Sequence, residues 1–356
     1  MAINMSMSPQ IINLEEREEL LNIREIWLSP EVPALWITND GQKIQSYCVA
    51  CTSRPCMQYT SEEIQESEIL SNDLEFRANS AYKTCVVNAI KFNEESNTPI
   101  IDENSCFGCG ICMERCPTKA IYLTDTSAKV NINKIINEDT LASISFYNNF
   151  FTNIKKAKTI GIYRLPNERN LKILMSNLKN LIENKNSKLD INLLSRNLMR
   201  SQGYLTISYS QGVQYSTIDL IAINKYNNET VIIEVEPTNA IETPRILLVA
   251  LAIMVERHKL DDNNIRLLSI GLIFPNNREE FWNVVDDIKE VLDLDIRFIT
   301  IPSIITMLWL AKNQKLKKFL NQTSSQNKKN MREILGIEEE LINLPIGFER
   351  IFESSK

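Results

Sequence analysis

From Asn192 onward the chain is strongly patterned. "LLSRNLMRSQGY" predicts an amphipathic helix stopped by Gly203. Three extended runs follow, "YLTISYS", "STIDLIAINK" and "ETVIIEVEP", with Asn227-Asn228 as turn chemistry between the last two. Next come a long helix over roughly Pro244 to His258, a buried strand "RLLSIGLIF" and a helix "REEFWNVVDDIKEVLDL". A strand "DIRFITI" and a helix "IPSIITMLWLAKN", with proline near its start, complete the series. "NQTSSQNKKN" reads as a polar linker before a short acidic C-terminal helix.

Upstream the rhythm is weaker. Leu14 to Trp27 reads as a helix, followed by a stretch punctuated by Pro30 and Pro33. "LWITNDGQKIQSYC" reads as a hairpin turned at Asn39-Asp40-Gly41. "CVVNAIKF" from Cys85 echoes "CPTKAIYL" from Cys116, a weak internal repeat. Residues 131–185, rich in Asn, Lys and Ile, are expected to be helical. The pattern divides the chain into 1–43, 44–130, a mostly helical basic connector at 131–189, an α/β region at 190–320, and a linker with a C-terminal helix at 321–356. A length of 356 residues fits two or three domains.

Composition narrows the classes. The longest apolar run, Ile246 to Val255, is about half of what a bilayer span needs. "MAINMSMSPQ" has no basic stretch leading into an apolar one, so no export signal and no membrane association are expected. The expected location is cytoplasmic, where thiols stay reduced and clustered cysteines mean metal more often than disulfides. The net charge of −6 argues against a nucleic-acid binder, but the charge is split along the chain. Acidic runs such as Glu15, Glu16, Glu18, Glu19 and Glu62, Glu63, Glu66, Glu68 precede a basic stretch from Lys155 to Arg200 that includes Arg196. That stretch is either a phosphate-facing side or a solvated helix face. His258, the only histidine, lies at a helix end and reads as a dipole partner.

All eight cysteines lie between Cys48 and Cys116. Cys106-x2-Cys109-x2-Cys112-x3-Cys116-Pro117 is the spacing with which a tight loop wraps three thiolates around an iron–sulfur cube. Gly108 and Gly110 let the backbone curl closely over it. Here the sequence resembles the bacterial-type ferredoxins that carry two [4Fe–4S] clusters, over roughly 44–125. The resemblance implies one cluster on Cys85, Cys106, Cys109 and Cys112, and another on Cys48, Cys51, Cys56 and Cys116. Two departures stand out: Cys51 and Cys56 enclose TSRP where the family has two residues, and residues 57–84 separate Cys56 from Cys85 where it has three. A zinc ion on Cys48, Cys51, Cys56 and Cys85 is the alternative at the first motif.

The second chemical signal is "STIDLIAINKYNNETVIIEVEP". Alternation puts Glu234 and Glu236 on one strand face, and pairing across the hairpin brings Asp219 beside them. Adjacent carboxylates in an apolar strand are costly unless a cation is shared, and an oxygen-ligated divalent ion is the natural neutraliser. With its flanking elements, residues 190–312 resemble the PD-(D/E)XK nuclease superfamily. The resemblance implies that Asp219 and Glu234 bind Mg2+ or Mn2+, that Asp219, Glu234 and Glu236 are catalytic, and that the substrate is DNA. Glu236 falls where the family usually has lysine. The acidic residue often found on the first helix would fall near Asn192, with Asp190 or Glu183 as substitutes, and Arg245 or Lys225 is a candidate for stabilising charge on phosphorus.

The expectation is an α+β multidomain protein. A ferredoxin-like iron–sulfur domain is joined to an α/β restriction-endonuclease-like domain with a central mixed sheet flanked by helices. Its function would be Mg2+-dependent DNA hydrolysis in a restriction, defence or repair setting. Double-strand cutters with one site per chain usually pair, so a homodimer is expected, and a redox partner or a larger defence complex stays open. The alternative is an electron-transfer or redox-sensing protein whose nuclease-like domain only binds DNA or a partner.

Overall fold

The computed structural model describes residues 11–13, 35–38, 42–45, 48, 51–95, 98–116, 120–123, 127–130, 157–159, 168–183, 189–210, 218–224, 229–238, 240–310, 315–321, 330–335 and 349–354. The helix expected from Leu14 to Trp27, the Asn227-Asn228 turn, Lys225 and most of the linker at 321–330 lie outside them. The chain forms two compact units, one of 1–60, 83–165 and 309–311, the other of 61–82, 166–308 and 312–356. Neither unit is a single stretch of chain, so the units cut across the expected boundaries. Among the described residues no helix is long and apolar enough to cross a membrane.

The first unit holds three small sheets. Strands β1 (Ile11–Asn13), β2 (Leu35–Thr38) and β3 (Gln42–Gln45) form the expected hairpin and its neighbour. Strand β8 (Ala157–Thr159) pairs antiparallel with β2. This corrects the helix expected throughout 131–185. A three-residue strand is too short to show periodicity, and its partner lies far back in the chain. Two further hairpins pair β4 (Ile90–Asn93) with β5 (Thr98–Ile101), and β6 (Ile121–Leu123) with β7 (Ala128–Val130). They begin at equivalent points of the internal repeat: Cys85 leads to Ala89 and β4, Cys116 to Ala120 and β6.

The second unit is built on a five-stranded mixed sheet, in the order β13 (Ile296–Thr300), β12 (Ile265–Gly271), β11 (Glu229–Val235), β10 (Leu220–Asn224), β9 (Tyr204–Ser208). The pairs β9/β10 and β10/β11 are antiparallel, whereas β11/β12 and β12/β13 are parallel. Helix α4 (Ile191–Ser201) precedes the meander, α5 (Thr243–Glu256) crosses from β11 to β12, and α6 (Glu280–Leu292) crosses from β12 to β13. Parallel neighbours require such crossovers, and strands covered on both faces read as continuous apolar runs. Val231, Ile232 and Ile233 of β11 are accordingly fully buried. On β13, Phe298 packs against Phe274, Phe281 and Trp282 with ring centroids 5.3, 5.4 and 6.4 Å away. A Cβ on Gly271 would stand 2.4 Å from the Phe298 ring, which is why β12 ends on a residue without one.

Residues 61–82, the excursion between Cys56 and Cys85, belong to this second unit. Their helix α1 (Ser61–Asp73) packs on β9. Beyond it the chain runs along the outer edge of β9, with Asn79 N donating to Ser208 O at 2.8 Å and Ser210 N to Arg77 O at 2.8 Å. The excursion thus covers a sheet edge that would otherwise offer unpaired backbone groups. Arg196 and Arg200, one turn apart on α4, hold it in place. Buried Arg196 donates to the carbonyls of Asn79 and Ala81, and Arg200 reaches Ser67 Oγ at 3.0 Å. These two arginines of the basic stretch are therefore neither phosphate-facing nor solvated.

Candidate metal centres

Around the cysteines, chain geometry follows the glycines. Gly108 and Gly110 have φ of 72° and 85°, a left-handed backbone open mainly to glycine. This bends the Cys106–Cys109 loop into the short helix α2 (Ile111–Arg115), which carries Cys112 and points Ile111 and Met113 into the core. The longer TSRP loop between Cys51 and Cys56 closes as an extra turn, with Arg54 N donating to Cys51 O at 3.1 Å and Arg54 at φ 45°. Pro55 O then accepts from Thr84 Oγ1 at 3.1 Å and Arg115 Nε at 2.8 Å. Thr84 N reaches Met57 O at 2.8 Å, and Gln58 bridges Lys83. The neck of the excursion is therefore closed, and the chain re-enters beside the point where it left.

The thiols fall into two groups. Burial, then the neighbouring thiols of Cys116, Cys48 and Cys51, pushes the Cys56 thiol far above its ordinary value. Burial, then Cys85 and Cys106, does the same to Cys109. Cys112 is raised by burial and by Cys109, Cys106 and Cys85, with Cys56 of the other group last. Cys85 is thus a near neighbour of Cys109 and Cys112. Crowded thiols kept from water stay protonated unless a cationic centre takes them as thiolates. Cys85 Sγ accepts from Ala89 N at 3.2 Å and Cys116 Sγ from Ala120 N at 3.3 Å, so the repeat places one backbone donor on a sulfur of each group. Among the described residues no three His, Cys, Asp or Glu side chains close on one point as around a single ion.

The carboxylates are brought together by sheet register. Leu220 pairs with Ile233, so Asp219, one residue before, stands level with Glu234, one residue after. Asp219 Oδ2 accepts from Val235 N at 2.9 Å and Oδ1 from Asn192 Nδ2 at 2.8 Å. Asn192 is set at the start of α4 because Asp190 caps that helix, accepting from the backbone N–H groups of Asn192 and Leu193 at 3.0 and 3.1 Å. Asp190 is thereby committed to capping, and Glu183 ends another helix, α3 (Glu168–Glu183). Glu234 is hydrogen-bonded to Asp219, and burial, followed by the Asp219 charge, raises its pKa to about 8. Asp219 is raised as well, chiefly by burial, with Val235 N and Asn192 opposing.

Glu236 is drawn aside. Its Oε1 accepts from Thr238 N at 2.9 Å and from Thr238 Oγ1 at 2.7 Å. The three carboxylates therefore do not converge on one point: Asp219 and Glu234 form a pair, with Glu236 close enough to raise both. Arg245 is exposed and pairs with Glu242 at 2.9 Å. Sequence reasoning marked Asn192 only as a position lacking its acid and missed Thr238, an unremarkable loop residue with no pattern to single it out.

Residues 99–122 match the family model described as a 4Fe-4S binding domain. This chain accordingly carries an iron–sulfur-binding domain. A stretch of 47 residues is 40% identical to an uncharacterized ABC transporter ATP-binding protein of Methanocaldococcus jannaschii, covering 13% of this chain. The chain spans 8% of the length of that curated relative. No solved structure matches.

Proposed function

We propose that this protein is a metal-dependent DNA nuclease carrying two [4Fe–4S] clusters, one on Cys48, Cys51, Cys56 and Cys116, the other on Cys85, Cys106, Cys109 and Cys112. The observation that carries the hydrolytic reading is the Asp219–Glu234 pair, half-buried and hydrogen-bonded to each other at the end of β11. The order of α4, meander, α5 and β12 supports the likeness to the PD-(D/E)XK superfamily. The donor set fits a hard divalent ion such as Mg2+ or Mn2+, because two carboxylates that share a proton without a cation can share the cation instead. When bound, such an ion supplies charge stabilisation on the phosphodiester and acidifies a coordinated water. Asn192 and Val235 N hold Asp219 in orientation. In this reading Glu236, held to one side by Thr238, stays within electrostatic reach of the pair and raises both carboxylates.

The ATP-binding function in the relative's name is not carried over: no glycine here precedes lysine, as a phosphate-cradling loop requires. The test is DNA cleavage by anaerobically purified protein with Mg2+ or Mn2+. Cutting is expected to fall at least about 100-fold in Asp219→Ala and Glu234→Ala. Equal cutting by wild type and Asp219→Ala would end the assignment.

A second reading, electron transfer or redox sensing with a nuclease-like unit that only binds, is favoured by the iron–sulfur family match. Dithionite-reduced protein studied by electron paramagnetic resonance reports cluster type. Salt-dependent DNA binding without cutting under any metal selects this reading.

A further inference from the structure

Helix α5 has two faces with different fates. Thr243, Pro244, Leu247, Ala250 and Met254 are buried against the rest of the second unit. On the opposite face Glu242, Arg245, Val249, Ala252 and Glu256 are exposed, Val249 by 46%, and exposed Lys259 follows just past the helix end in a left-handed backbone. They recur at alternating intervals of three and four residues, the spacing of a seam that meets another helix. Half-exposed Ile246, Leu248, Ile253 and Val255 flank it on both sides. Among the described residues this face, with its apolar flanks, has no cover.

The charges at its ends specify what covers it. We propose that two copies of this chain associate through α5, antiparallel, about a twofold axis passing between Ala250 and Leu251. Under that symmetry Val249 meets Ala252 of the second copy, Ile246 meets Ile253 on one side of the seam, and Leu248 meets Val255 on the other. Arg245 meets Glu256, so the charges within the helix face their opposites, and Glu242 and Lys259 bring one further opposite pair to each end. Within one chain Arg245 already pairs with Glu242 at 2.9 Å and Lys259 with Glu256 at 3.5 Å, and the two ends join into four-charge networks. A parallel arrangement sets each charge against its own kind and is rejected. The twofold is isologous, so the assembly closes at two copies. A helix pair about 21 Å long is a small interface, which puts the dimer in the micromolar range.

This inference does not depend on the nuclease reading. Its test is sedimentation velocity on the full chain, kept anaerobic, from about 1 to about 200 μM. Wild type is expected to pass from monomer to dimer within that range. Val249→Arg should remain monomeric, and Arg245→Glu or Glu256→Arg should each weaken association at least about tenfold. The double variant R245E/E256R should recover it. Monomer throughout for wild type overturns the proposal. So does a dimer indifferent to Val249→Arg, or a double variant no better than the singles.

Discussion

The two chemical centres are assembled by opposite means. In the cysteine region three thiols of one group, Cys106, Cys109 and Cys112, lie within a single tight loop, placed by two left-handed glycines. In the sheet, Asp219 and Glu234 belong to different strands and meet only because β10 and β11 pair in one register. A one-residue slip there would turn one carboxylate to the other face. Locally built sites tolerate rearrangement of the surrounding fold, as the TSRP turn and the excursion at 61–82 show. Register-built sites demand a rigid core, and β11 lies at the middle of the best-buried part of the chain.

The sharpest way to break this comparison is to remove a thiolate. Under the two-cluster proposal, Cys112→Ser is expected to lose one cluster outright, halving iron from about eight atoms per chain to about four. Mn2+ binding at the carboxylates, followed by calorimetry, should persist. A proportionate loss of Mn2+ binding would show that the two centres are not independent.

A second test uses protons. Glu234 titrates near 8 in the folded chain, against an ordinary value of 4.5, so below about pH 8 a cation must displace a proton. Mn2+ affinity should therefore climb by up to roughly tenfold per pH unit, about 50-fold from pH 6 to 8, and then level off. The same shift has the reverse sign for the cation-free fold. Stability contributed below pH 4.5 is lost as pH rises through about 8, because the folded state holds a proton that the unfolded one releases. Melting without divalent ions should thus fall with pH across that window, and a flat profile would contradict the shared proton.

Smaller effects sharpen the contrast. Asn192→Ala should weaken Mn2+ about tenfold, by freeing Asp219 to turn, while iron content stays unchanged. Arg196→Met should leave both centres chemically intact but destabilise the second unit by about 1–3 kcal/mol, measured by denaturant unfolding, since the Asn79 and Ala81 carbonyls lose a buried donor.

Most of the second unit was legible because its helices and strands are long enough to show period. The runs at "YLTISYS", "STIDLIAINK" and "ETVIIEVEP" all became strands, and the turns of chain after them became the expected helices and strands. The Cys85 and Cys116 repeat was legible as sequence and reappears as matching N–H donors on sulfur. What escaped was set by contacts distant in the chain. Nothing in the charge pattern tells that Arg196 and Arg200 bind carbonyls more than a hundred positions earlier, or that a three-residue segment at Ala157 finds β2. Glu236 turned from the pair for a similar reason: alternation fixes a side, not a rotamer, and Thr238 offered two donors.

The excursion at 61–82 bears on how such a molecule could be taken apart. A fragment beginning at residue 190 would contain every acidic group of the proposed centre and still be incomplete. Its first helix would present two arginines to nothing, and β9 would offer bare amides and carbonyls to any passing strand. Such a fragment should aggregate, whereas scission between 116 and 157 with both pieces present need not. The chain passes between the two compact units five times, so no single cut parts them.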